Sequence, residues 1–173
     1  MRTATEKRDL VALLAAFCLF LSTIEYLIPK PLPFLRLGLA NLPVLIALPL
    51  LSVPYTLLLI LLKVIGQAFI QGSLFSYVFI FSLSSSLSSA IVMLLIHRIF
   101  TKGFSLVGIS VMGALASNVC QVFLAVYLVF GTNGWLIAPF LLAVGLVSSV
   151  LLGLFAQNFV QSSLWFRRVV RGT

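Results

Sequence analysis

The sequence predicts an all-α membrane protein, a bundle of six transmembrane helices with both termini on the cytoplasmic side. Hydrophobic residues make up 62% of the chain and charged residues 8%, with a mean hydropathy of +1.24, so no water-soluble fold of 173 residues could hide the apolar surface. The apolar residues come in continuous runs such as LVALLAAFCLFL. A transmembrane β-barrel would instead show segments of roughly ten residues that alternate apolar and polar. Basic residues fall between the runs, as they do at the flanks of membrane helices, and this accounts for the net charge of +8 without nucleic acid as a partner. The length suits one integral domain.

The first span, expected over 10–29, follows Arg2, Lys7 and Arg8. Its apolar stretch, Leu10 to Ile28, is longer than the core of a secretion signal and no small-x-small cleavage site follows, so it reads as permanent. Ala12 and Ala16 stand one helical turn apart, with Ala15 beside them, and leave a shallow groove for another helix, from this chain or from a partner. The linker PKPLPFLRLG, 29–38, carries three prolines that stiffen it against helix formation, which suits a lid. Spans over 39–52 and 55–71 are short, because Pro43, Pro49 and Pro54 interrupt a region too long for one helix. The remaining spans are expected over 74–99, 105–131 and 136–163, the last two joined by the short uncharged loop GTNG.

Charge supports the count of six. It places Arg2, Lys7, Arg8, Arg98, Lys102, Arg167, Arg168 and Arg171 together on the cytoplasmic side, with Lys30 and Arg36 outside and Lys63 within a span. Five spans would split the basic clusters between the two sides.

Polar side chains inside the spans are the candidate functional residues, because each is expensive in lipid and needs a partner or an aqueous cavity. Lys63, Gln67 and Gln71 follow at i, i+4 and i+8 on the third helix. Asn118 and Gln121 share a face of the fifth. Glu25, near the outer end of the first helix, is the sole acidic residue in any expected span. With Asn41, and with Lys30 and Arg36 of the lid, these groups could form a polar pocket open to the outside. The competing reading is a structural Glu25–Lys63 ion pair plus interhelical amide bonds, yet such glue is worth only about 0.6 kcal/mol per bond on average. The excess of Lys and Arg points to an anionic or electron-rich ligand.

Other polar and small residues read as packing. Ser82, Ser85, Ser86 and Ser89 occupy one helix face, where serine hydroxyls satisfy themselves on carbonyls of the preceding turn. Gly113 and Ser117, then Gly145, Ser149 and Gly153, repeat at helical spacing as tight-packing positions. His97, beside Arg98 at a helix end, reads as an interfacial anchor, and Cys18 and Cys120 as small hydrophobes inside spans. The chain has no Walker A motif, no metal-ligand cluster, no cofactor motif and no paired intramembrane carboxylates. Uphill transport would therefore take its energy from another chain.

The segments LRLGLANLPVLIAL, LLKVIGQAFIQGSLFS and FSLVGISVMGALASNVCQVFLA resemble the Gx transporter family, also labelled heptaprenyl diphosphate synthase component I, over about residues 30 to 160. That family in turn resembles the substrate-capture S components of energy-coupling factor transporters. The resemblance implies six helices, capture of a vitamin-like solute from outside, and docking through the Ala12 and Ala16 motif on a coupling transmembrane subunit driven by ATPase subunits. It implicates Asn41, Lys63, Asn118 and Gln121 in solute binding. The position of Ser117 is frequently histidine in the family, so the resemblance carries no role in ligand choice over to that side chain. The synthase label implies an associated subunit and not a catalyst, since prenyl elongation needs aspartate-rich motifs and this chain has one aspartate, Asp9. The readings are thus a non-enzymatic solute-binding subunit, a noncatalytic membrane partner of an isoprenoid or quinone enzyme, and a stand-alone facilitator.

Overall fold

The computed structural model describes residues 4–29, 37–99 and 105–171, and these are helical with no strand among them. The expected lid residues Lys30 and Arg36 lie outside the described residues. The long helices are α1 (Ala4–Leu27), α3 (Val53–Ile70), α4 (Tyr77–Ile99), α5 (Leu106–Leu124) and α6 (Ala138–Ser162). Four stretches are long and apolar enough to cross a bilayer, Thr5–Leu27, Val53–Ile70, Tyr77–Ile99 and Leu106–Ser162, the last containing both α5 and α6. The pattern of exposure follows from a membrane setting: along α3 the residues Leu57, Leu58, Leu61, Leu62 and Ile65 face outward, while Thr56, Leu59, Ile60, Lys63, Val64 and Gln67 form the buried stripe.

The segment expected as a second span is shorter than one. Residues 39–52 form a 3₁₀ turn, Leu39–Asn41, a six-residue helix α2, Leu42–Ala47, and a turn through Leu51. Pro43 sits in the first turn of α2, where its missing N–H costs nothing. Pro49 has no N–H to carry the ladder on, and the helix gives way at Leu48. Six helical residues rise about 9 Å against a hydrocarbon core of about 30 Å. Every residue of α2 is buried, so it is a plug enclosed by α1, α3, α5 and α6 and presents no face to lipid.

Two contacts fix the direction of the chain around that plug. The Lys7 ammonium lies 5.8 Å from the centre of the Tyr55 ring, and Leu19 packs so closely on Gly66 that an added Cβ would meet its Cδ2 at 2.6 Å. Low numbers in α1 therefore pair with low numbers in α3, and the two helices run parallel. The segment 39–52 brings the chain back between them. From α4 to α6 the helices alternate in direction: Ser88 donates to the Ala116 carbonyl at 3.3 Å while Met93 lies against Gly113, and Ser110 donates to the Ser149 carbonyl at 2.8 Å while Asn118 lies against Gly145.

The α5–α6 seam is closed by small residues, as expected. Gly153 lies against the Val107 backbone and Gly145 against the Asn118 side chain. The end of the expected fifth span is a π-helical turn, Ala125–Phe130, and the expected GTNG loop falls in a 3₁₀ helix, Gly131–Ile137. A helix α7, Leu164–Arg171, follows α6 beyond the expected last span. The Ser163 hydroxyl caps it by accepting the Phe166 N–H at 3.2 Å, and the Phe166 side chain reaches the core.

The apolar interior is layered. A large cluster gathers α1, α2 and α3 with Ala90, Met93, Ile109 and Ala156, whereas a smaller one joins Phe81, Val122, Ala125 and Leu141. Between these layers, along α4, α5 and α6, lie the polar residues.

Candidate functional site

The turn LGLAN forms one wall of the polar layer, and its sequence explains its shape. Gly38 adopts φ 82°, a left-handed conformation that costs glycine nothing, and this aims the N–H groups on either side of it at one carboxylate. Leu37 donates to Glu25 Oε1 at 2.8 Å and Leu39 to Glu25 Oε2 at 2.9 Å. The Asn41 N–H closes the turn on the Gly38 carbonyl at 2.8 Å. Asn41 then accepts a hydrogen bond from the buried Lys63 ammonium. Glu25 thereby holds the turn, and the turn holds the partner of Lys63.

Opposite this wall, α5 and α6 supply Asn118, whose Nδ2 donates to the Leu141 carbonyl at 3.1 Å. The close approach of α6 depends on Gly145, since any Cβ there would overlap the Asn118 amide. Glu25, Asn41, Lys63, Gln67 and Asn118 line one cavity together, so five of the expected site residues converge. Its free space is about 40 Å³. That holds roughly three water molecules.

Two expected residues stand apart from the cavity. Gln71 caps the end of α3, half-exposed, because the inward stripe of α3 runs out at that helix terminus. Gln121 is buried one turn beyond Asn118, donating to the Ser117 hydroxyl at 3.3 Å, and its Oε1 has no partner among the described residues. Ala12 and Ala16 are exposed on the outer face of α1, while Ala15 between them is buried.

Sequence reasoning missed the serines. Ser85 and Ser86 of α4, Ser110 and Ser117 of α5, and Ser148 and Ser149 of α6 all line the cavity. Several do bond to helix carbonyls, as Ser85 does to Ser82 at 3.3 Å and Ser149 to Leu146 at 2.8 Å. A hydroxyl whose proton is spent in this way keeps its lone pairs, so the cavity offers oxygen acceptors as well as the Lys63 donor. The signal was their common helical face. It cannot separate a serine seam from a serine-lined cavity.

Two apolar grooves flank this centre. One, of about 510 Å³, lies between the Leu37–Leu39 segment and α6, lined by Ala143, Val144, Val147 and Leu151. The other, of about 430 Å³, runs along α1 by Leu13, Ala16, Phe17 and Phe20 to Phe159 and Trp165.

No curated protein and no solved structure matches the chain. Residues 14–159, which carry the turn, the lysine stripe and the α5–α6 seam, match the family described as heptaprenyl diphosphate synthase component I. This membrane protein therefore belongs to that family, the Gx transporter family.

Proposed function

We propose that the chain is a solute-binding membrane subunit, similar in role to the S components of energy-coupling factor transporters, without catalytic activity of its own. The observation that carries this reading is the buried polar cavity between two dry layers: Lys63, Gln67 and Asn118 are each no more than 5% exposed and converge with Asn41 and Glu25. Polar groups buried at membrane depth need partners or an aqueous cavity, and here they line a cavity able to take a ligand. The parallel course of α1 and α3 supports six passes, with 39–52 as a broken return. Lys7, Arg8, Arg98 and Arg167 then gather at one end of the bundle, which favours that end as cytoplasmic in a cell membrane. The LGLAN turn lies at the other end and roofs the cavity from outside.

Thermal-shift screening of the purified protein against vitamins, flavins and quinone precursors tests the reading. A saturable stabilisation by one compound is expected, and Lys63→Ala should weaken its affinity by tenfold or more, as loss of a charge-assisted hydrogen bond does. A panel that leaves the melting temperature unmoved counts against solute capture.

Ala12 and Ala16 face outward beside the α1 groove, which supports docking on a coupling subunit that works with ATPase subunits. Ala16→Trp should abolish co-purification with such a subunit while the solute still binds. Equal loss of both would make the alanines bundle packing. The family description favours a second reading, a noncatalytic membrane partner of an isoprenoid or quinone enzyme. Co-purification with a soluble synthase, with no need for ATPases, would select it.

A further inference from the structure

We infer that the ligand is amphipathic, with a head group the size of a carboxylate in the polar cavity and a hydrocarbon body in the groove between Leu37–Leu39 and α6. The inference rests on the solute-binding reading above and names the class of solute.

Volume makes the first argument. The cavity has about 40 Å³ of free space, so an organic molecule places only a few atoms among Lys63, Asn41 and Asn118. The rest must lie elsewhere. The α6 groove has about 510 Å³, within the range of small-molecule sites, and its surface is almost wholly apolar.

Continuity makes the second. Leu37, Ser148 and Leu152 line both spaces, so the cavity and the groove are two sides of one wall made of side chains. Leu37 belongs to the turn that Glu25 holds, and this ligand requires the side chains of Leu37 and Leu152 to part so that the two spaces join. The groove along α1 offers a contrast within the same molecule: comparable in size and equally apolar, it shares no lining residue with the polar cavity. The tail is therefore assigned to the α6 groove alone.

Charge makes the third. Lys63 supplies a cationic donor to the cavity, the Glu25 carboxylate that also lines it is turned onto the Leu37 and Leu39 N–H groups, and among the described residues no charged side chain lines the groove. That polarity orients an anionic head inward and a tail toward the lipid-facing side of α6.

Hexanoate, octanoate and decanoate are the probes. Binding is measured by equilibrium dialysis on the full chain in detergent, with free ligand fixed so that partition into micelles is common to all variants. Affinity should rise about fourfold per added methylene, the usual gain for burying one. Val147→Trp, on the outer face of α6, should fill the groove and remove the gain with chain length, so that the three acids bind alike. Lys63→Met should weaken all three acids by a similar factor of at least ten.

A chain-length gain that survives Val147→Trp overturns the tail assignment. Decanoate binding indifferent to Lys63→Met overturns it too and gives the groove to a bilayer acyl chain. If no acid binds but a hydrophilic compound from the vitamin panel binds in a Lys63-dependent way, the amphipathic ligand is wrong and solute capture stands. Failure of both the acids and the panel removes solute capture itself.

Discussion

A Gly145→Ala protein melts below the parent, and a second substitution, Asn118→Ala, restores most of the loss. The Cβ of alanine would occupy the space of the Asn118 amide, which is buried and donates to the Leu141 carbonyl. Neither helix can yield easily, because Gly153 already holds α6 against the Val107 backbone eight residues further on. Overpacking of this kind costs about 1–3 kcal/mol. Shortening Asn118 removes the obstacle, so the two substitutions couple strongly and with opposite sign to their separate effects. Thermal melts of the four proteins in one detergent measure the coupling. Losses that simply add would show that Asn118 and Gly145 do not meet as described.

Glu25→Ala should open the LGLAN turn without unfolding the bundle. Two backbone N–H groups lose a carboxylate acceptor, and hydrogen bonds to charged groups are worth about 1.5–3 kcal/mol each. A local loss of about 3 kcal/mol corresponds to roughly a hundredfold faster amide exchange. Hydrogen exchange read at Leu37 and Leu39 should show it, while amides in the middle of α5 and α6 keep their protection. Because Asn41 partners Lys63 from the same turn, ligand release should also quicken. Unchanged exchange at Leu37 and Leu39 would place the restraint on this turn elsewhere.

Much of the fold was legible because lipid enforces a simple code. The stripe of α3 runs Thr56, Leu59, Ile60, Lys63, Val64 and Gln67, and the spacing alone turned Lys63 and Gln67 inward. Gln71 continues the arithmetic of that stripe, but the helix stops there, and a helix end is the least certain feature of any sequence reading. The run 39–52 is as apolar as a span, and hydropathy cannot distinguish lipid from protein as its solvent. Its three-dimensional setting makes it a plug. Glu25 was recognisable as unusual, yet its bond to a turn 12 and 14 residues downstream depends on the φ of Gly38, which no side-chain pattern displays. The serines fell into the same gap, since their common face is equally a packing seam and a cavity lining.

The buried plug α2 also constrains how this chain is made. Six helical residues cannot partition into a bilayer unaided, and α2 has no outward face with which to lodge there. Its neighbours α1 and α3 point the same way, so α2 gains its surroundings only when both are in place. In a nascent chain stalled before Val53, α1 should therefore resist extraction by alkali while the 39–52 segment stays open to protease, and that segment should become protected once α3 has emerged.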